Sequence, residues 1–455
     1  MRTLTIFKAF QLPDMESNLQ RGVDWRKLFA RRGFRYFFSG MCISLFGSGM
    51  NFAGVTWYVL ARTGSTVAVS WLLILLTSPG LFIPVIGGVL IDRLDRRYLC
   101  ITIDLSRGLI VASTASLLYF RHAGVGAVYV MAFLSGTGAA IYWSSINALI
   151  QEVIPADELV GANSAVIIAV QGGLMIAGAL VGFLYDRVGI AGILAIDAAT
   201  YGASAFCLYR LRSGHFPPQR LTTRPEIAAG LAEMEETEIA PAIEAAPERN
   251  FFAELREGAR FLREQPAVFA IGLAYASMIA GIFSGNILVV ALTKDVLHAN
   301  AVGYGAMEGG WAMGAILGGI SAGALIRKFP LLAVLLGALG ILCLGHLAVP
   351  YVRVLAAAVL MQGIFGACRA IGGILTQTTL MTSVPPRLMG RTQSTFAMLS
   401  TVLTLVISFS LGWLAERVSI PVAFSVLAFV YAIAFLSAWR AQQLTHEAAA
   451  VTLPG

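Results

Sequence analysis

Gly182-Phe183-Leu184-Tyr185-Asp186-Arg187-Val188-Gly189-Ile190 returns as Gly412-Trp413-Leu414-Ala415-Glu416-Arg417-Val418-Ser419-Ile420, a constant 230 residues further along the chain. Each copy is a short charged joint between two long apolar stretches. The register continues to Tyr201/Tyr431 and Arg210/Arg440. A joint repeated at one offset, with apolar runs on both sides of each copy, means that the same unit is built twice in the same direction.

Working outward from the two joints, apolar runs long enough to cross a bilayer of about 20 residues' helical length fall at 34–61, 67–90, 98–120, 125–149, 161–184 and 190–210. A second set falls at 267–292, 303–326, 330–349, 352–377, 393–415 and 420–439. The repeated joint therefore links spans five and six, and again spans eleven and twelve. The expected fold is an all-α membrane protein of twelve transmembrane helices in two six-helix pseudo-symmetric halves. Halves related by an axis along the membrane normal are a transporter architecture, with the substrate between them near the midplane. Pro79 and Pro84 predict a kink in span two.

Composition agrees. Of 455 residues 57% are hydrophobic and 13% charged, with mean hydropathy +0.77, against about 45–50% and about 25% for soluble domains. Several soluble domains and disorder are both excluded. A membrane β-barrel is excluded because Val67–Leu90 stays apolar where barrel strands would alternate. The five cysteines, Cys42, Cys100, Cys207, Cys343 and Cys368, lie in apolar runs without ligand spacing, so neither a disulfide framework nor a metal site is expected. No GxxxxGK[ST], HExxH or GxSxG occurs, so no cofactor, catalytic residue or enzymatic activity is expected.

The chain divides into a polar tail (1–33), an N-terminal bundle (34–211), a linker (212–266), a C-terminal bundle (267–440) and a second tail (441–455). The first tail lacks the small-residue cleavage site of a signal peptide. The linker carries Pro217-Pro218 and the Glu-rich run 233–238. It reads as a flexible tether, a regulatory docking site being the alternative, and residues 251–263 predict an interfacial helix. With both termini inside, 24 of the 32 Lys and Arg fall on the cytoplasmic side, six outside, and Arg107 and Arg369 within spans. That asymmetry predicts two cytoplasmic termini in a cytoplasmic (inner) membrane. It makes the net charge of +7 a topology signature, with no nucleic-acid partner.

The joint after span two reads Gly88-Val89-Leu90-Ile91-Asp92-Arg93-Leu94-Asp95-Arg96-Arg97. This Gly-x-x-x-Asp-Arg-x-x-Arg-Arg loop in a six-plus-six chain resembles the signature loop of the major facilitator superfamily. Thr63-Gly64-Ser65, Asp104 to Arg107, Ile154-Pro155-Ala156-Asp157-Glu158-Leu159 with Ala162-Asn163, and Val384-Pro385 with Gly390-Arg391 resemble its branch of enterobactin exporters and macrolide-efflux proteins. Asp95 stands where many members have Gly, and Ala179 where antiporter members have Pro. The resemblance implies the major facilitator fold, export of a siderophore-like, macrolide-like or other amphipathic molecule, and exchange for protons. It also implies that Gly88, Asp92, Arg93, Arg96 and Arg97 form a conformational latch: Asp92 against the start of span eleven, where a helix N-terminus favours a carboxylate, and the arginines against cytoplasmic carboxylates. Plain positive-inside topology is the alternative for these arginines.

An ionisable residue inside a span is costly and calls for a partner or a pathway role. Asp104 and Arg107, three apart in span three, share a helix face and predict an intramembrane charge pair. Asp197 and Glu308 have no opposite charge at helical spacing and are proton-coupling candidates; each could instead be a hydrogen-bonded core acid. Arg369 either binds an anionic group or answers one of these acids. His346 reads as interfacial, as do Trp57 and Trp71. Candidate substrate contacts are Asn51, Gln171, Asn286, Trp311, Gln362 and Arg369, apolar walls with few polar groups being typical of organic-ligand sites. The resulting expectation is a monomeric, proton-driven exporter of a small molecule, with the lipid bilayer as its other partner. A lysophospholipid or lipid flippase, and a non-transporting receptor or scaffold, are the alternatives.

Overall fold

The computed structural model describes residues 25–83, 94–154, 159–211, 260–384 and 386–452, and no strand occurs among them. After a short helix, Trp25–Ala30, the first membrane helices are α1 (Arg32–Thr63), α2 (Thr66–Thr77), α3 (Arg96–Tyr119) and α4 (Val125–Val153). The helical stretch Leu159–Arg210 is broken at Gly189, whose φ of +62° a side chain would strain, giving α5 before it and α6 after it. The second half contains α7 (Pro266–Ala291), α8 (Ala301–Lys328), α9 (Leu331–Ala348), α10 (Leu355–Ser383), α11 (Pro386–Arg417) and α12 (Ile420–Thr452). Ten stretches among the described residues are long and apolar enough to cross a membrane by themselves. α1 has the length too, at 32 residues, but carries Gly40, Ser44, Gly47, Ser48 and Asn51 on its way through.

Local signals set the helix ends. Ser65 accepts from Ala68 N–H, Asp95 from Arg97 and Tyr98 N–H, and Asn300 from Gly303 N–H, each satisfying donors that a helix start leaves open. α2 is interrupted at Ser78, next to Pro79, and continues to Ile83, an interruption of the kind that proline's missing N–H predicts; Pro84 lies outside the described residues. α11 and α12 run well beyond their apolar cores because the helical backbone continues past the membrane-length run. Of the predicted interfacial helix, 260–264 is helical, with Arg260 and Glu264 paired at 3.2 Å; residues 251–259 lie outside the described residues.

Small residues fix the packing within each half. A Cβ on Gly40, Gly47 or Gly54 of α1 would press into Cys207, Thr200 or Ile193 of α6. As one number rises by seven the other falls by seven, the register of an antiparallel pair. A Cβ on Gly310, Gly314 or Gly318 of α8 would drive into the carbonyl of Val359, Gly363 or Ala367 of α10. Both series rise by four, the register of a parallel pair. Where lipid supplies no hydrophobic drive between helices, such close backbone approach is what binds them. Trp57 corrects the interfacial reading: it is buried and stacks on Tyr304 of the other half, ring centres 5.7 Å apart. The apolar environment available to an indole there is a neighbouring ring and not a headgroup layer. Trp71 stays exposed at the periphery, its edge on Phe409.

Candidate functional site

The halves meet along two seams at the end of the bundle that carries the repeated joints. In one, a Cβ on Gly182 of α5 would stand 2.7 Å from the Ala301 carbonyl and 2.8 Å from Gly305 Cα of α8, and one on Gly178 would stand 2.7 Å from Glu308 Cβ. In the other, Thr66 Oγ1 of α2 donates to the Gly412 carbonyl of α11 (2.7 Å), and Ser70 Oγ donates to the Ser408 carbonyl (2.8 Å). Ser284 of α7 joins this seam through Ser408 Oγ (2.9 Å).

Just past the α2/α11 seam the halves part around a cavity of about 300 Å³. Leu76, Thr77 and Gly80 of α2 and its continuation, with Gly136, Ala139 and Ala140 of α4, line one side. Ile279 and Phe283 of α7, with Ser400, Thr401 and Thr404 of α11, line the other. Among the described residues no charged side chain lines it. The hydroxyls of Thr77, Ser400, Thr401 and Thr404 each donate to a carbonyl one turn back in their own helix, so they offer the cavity acceptor lone pairs only.

Among the described residues, none of those singled out for substrate contact lines this cavity. Asn51 Nδ2 donates to Asp197 Oδ2 at 2.6 Å, and Asn286 Nδ2 to the carbonyls of Ile282 and Phe283 in its own helix. Trp311 Nε1 and Gln362 Oε1 are buried without hydrogen-bond partners among the described residues. The Gln171 side chain lies outside the described residues. What sequence reasoning missed is the α11 stripe Ser400, Thr404 and Ser408, a period-four series of hydroxyls that was the available signal.

In the first half, α6 presents Asp197, Thr200, Tyr201 and Ser204 on one face, in the order that helical spacing dictates. Asp197 takes the Asn51 bond and a second, 3.4 Å contact from Thr200 Oγ1; Ser48 and Tyr201 hydroxyls meet at 2.9 Å. Asp104 corrects the charge-pair expectation: it accepts from Ser204 Oγ at 2.7 Å, while its Oδ1 and Arg107 Nε have no hydrogen-bond partner among the described residues. Arg107 instead lies over the Tyr201 ring at 4.4 Å. The three-residue spacing brings the two onto one face, and each makes its direct side-chain contact with α6. Arg107 still acts electrostatically on both Asp104 and Asp197.

The second half repeats the cation–tyrosine arrangement from a different helix. Arg369 Nε donates to Tyr431 Oη (3.1 Å) and Nη2 contacts His346 Nε2 (3.4 Å). His346 Nδ1 lies 2.6 Å from the Leu342 carbonyl, which can only accept. Nδ1 therefore carries the hydrogen, and Nε2 accepts from the guanidinium. His346 is buried and stacks on Phe365, ring centres 4.3 Å apart, which corrects the interfacial reading: an arginine inside the half supplies the polar contact that water would have supplied. Glu308, half-buried between Gly178 of α5 and the α8/α10 zipper, feels Arg369 electrostatically.

Gly88, Asp92 and Arg93 of the loop after α2 lie outside the described residues. Arg97 differs from expectation: its Nε donates to the Leu208 carbonyl (2.9 Å) and Nη2 to that of Tyr209. It thus meets the carbonyl end of α6, a favourable place for a cation, where a carboxylate was expected. Arg96 begins α3.

Comparison with known proteins accords with this geometry. A model of the Major Facilitator Superfamily matches residues 37–408. Macrolide efflux protein A of Streptococcus pyogenes is 23% identical over 292 residues, covering 63% of this chain and 64% of that protein. The chain thus matches a little under two thirds of that relative's length. Enterobactin exporter EntS of Salmonella typhimurium is 24% identical over 361 residues, 79% of this chain and 80% of that one. Among solved structures, a mutant form of nucleoside transporter NupG superposes with a TM-score of 0.67 at 13% identity, over 90% of this chain and 99% of that chain. A bacterial homologue of the iron transporter ferroportin, in an inward-facing state, gives 0.62 at 15% identity over 90% and 98%. The chain belongs to the Major Facilitator Superfamily. It is a multi-pass membrane protein of that family.

Proposed function

We propose that this transporter exports an amphipathic small molecule, siderophore-like, macrolide-like or drug-like, across the cytoplasmic membrane in exchange for protons. The bundles 34–211 and 267–440 rock against each other as one molecule, with both termini in the cytoplasm and the linker 212–266 between them. The observation that carries the reading is the cavity between the halves, where no charged side chain occurs among the described lining residues. Its apolar walls and hydroxyl acceptors suit an organic molecule better than a bare ion, and the named efflux relatives favour the outward direction.

Glu308 is the first choice for the coupling group, because it is an acid within a span that stands against the other half, at Gly178 of α5. Asp197, held by Asn51 and Thr200, is the second. Arg369, Trp311 and Gln362 remain candidate substrate contacts in the second half, Trp311 Nε1 and Gln362 Oε1 being buried without hydrogen-bond partners among the described residues. Gly88, Asp92, Arg93 and Arg96 retain the latch role that the loop resemblance implies, with Arg97 anchoring the loop's end to α6.

Transport in proteoliposomes, measured over a panel of siderophores, macrolides, dyes and lysolipids with and without a proton gradient, tests this reading. Gradient-dependent efflux that Glu308→Gln abolishes is the expected result. Gradient-insensitive movement of lysolipid alone would replace it with a lipid flippase.

A further inference from the structure

The turn between α1 and α2, Thr63-Gly64-Ser65, is held by two charges that both come from the other half. Lys294, in the π-helical turn Leu292–Val296 that ends α7, donates from Nζ to the Leu60 carbonyl at 2.9 Å. That carbonyl also takes the Gly64 N–H at 2.8 Å. It belongs to the last turn of α1, where the helix end is electronegative. On the other side of the turn Glu416, at the end of α11, accepts from Ser65 Oγ (2.5 Å) and Val67 N–H (3.1 Å). These groups open α2, where free N–H groups make the helix end electropositive.

We propose that Lys294 and Glu416 form a charge clamp on the α1–α2 turn and are positioning residues for transport, holding this end closed in the conformation described here. Each charge meets the helix end of opposite polarity. No hydrogen bond or ion pair between Lys294 and Glu416 themselves occurs among the described residues, so the turn is the shared partner. Opening this end requires the second half to leave both helix ends, and the clamp sets how often that happens. At about 0.3–1 kcal/mol for each charge at a helix end, it biases a two-state equilibrium without locking it.

The inference uses alternation of the halves from the proposed function but neither its substrate nor its coupling ion. Its test needs neither. Hydrogen exchange of the full chain in lipid nanodiscs reads the opening of residues 60–72 directly, with residues 190–210 of α6 as an internal reference. Lys294→Gln and Glu416→Gln are each expected to raise exchange in 60–72 about two- to five-fold and leave α6 unchanged, while Lys294→Arg stays at the wild-type rate. The double exchange Lys294→Glu/Glu416→Lys is expected to exceed both single variants, because each charge then faces the wrong helix end. Recovery of slow exchange in the double variant would identify a simple lysine–glutamate attraction and overturn the clamp, as would unaltered exchange in both single variants. If transport of every tested substrate fails while these exchange changes appear, the exporter reading falls and the clamp stands.

Discussion

Gly182 and Gly412, equivalent positions 230 residues apart, are each a point where one half touches the other: Gly182 lies against the backbone of α8, and Gly412 takes the Thr66 hydroxyl of α2 on its carbonyl. The likeness extends to the surroundings. Residues 181–190 and 411–420 have the same succession of buried, half-buried and exposed positions. A sequence repeat that marks a joint also marks the two seams on which the halves close.

Larger residues at these points are expected to stop transport. Gly182→Val and Gly412→Val each force backbones apart at an interface with no slack, at a cost of about 1–3 kcal/mol for an overpacked contact. The closed end is penalised and the rest of each half is not. Substrate flux should fall at least about five-fold, with the melting temperature of purified protein within a few degrees of wild type; unchanged flux would show that the seams do not bear on the transport cycle.

Glu308→Gln keeps the volume at the α5/α8 seam and removes the titrating group. Binding of the transported compound, read by equilibrium dialysis, should survive within a few-fold, while acceleration of flux by a proton gradient disappears. Retention of gradient-driven flux in Glu308→Gln, with its loss in Asp197→Asn, would move the coupling role to the second acid.

Asn51→Leu is expected to act on stability before function. It deprives Asp197 of its 2.6 Å hydrogen bond and leaves a buried acid short of a donor, a loss of about 1–3 kcal/mol. The melting temperature should drop, and Asp197→Asn in the same background should restore part of it, since the uncharged amide is cheaper to bury. No recovery in the double variant would mean that Asn51 serves α1 packing and not the acid.

Arg369→Lys tests the second-half cluster. A lysine cannot reach Tyr431 and His346 together with one planar fork, so the variant should be destabilised more than Tyr431→Phe, which removes one acceptor and costs about 1 kcal/mol. Thermal unfolding of the two variants side by side checks the order. Equal losses would place the value of Arg369 in its charge alone.

Much of the architecture was legible in the chain because it rests on long-range periodicity: span positions from apolar run length, the joint at Gly189 from its repeat at Ser419, and the interruption next to Pro79. The site was less legible, since side-chain partners are chosen across helices. Three-residue spacing brought Asp104 and Arg107 to one face, yet Ser204 and Tyr201, far along the chain on α6, took them. Asn51 reads from sequence as a substrate contact because a polar residue in a span has few cheap explanations; its partner Asp197 is invisible without the α1/α6 register. The cavity residues were overlooked for the opposite reason. Thr77, Thr401 and Thr404 satisfy their own helices and are unremarkable until the second half closes over them.

The cation–tyrosine contacts of the two halves use the same socket and different arms. Tyr201 and Tyr431 occupy the same repeat position, but the guanidinium arrives from α3 in one half and from α10 in the other. The ring on the last helix of each half is thus a fixed socket, and the arm that fills it is interchangeable. Equivalent tyrosines therefore hold a buried positive charge in both halves although the arginines that supply it, Arg107 and Arg369, are not equivalent under the 230-residue repeat.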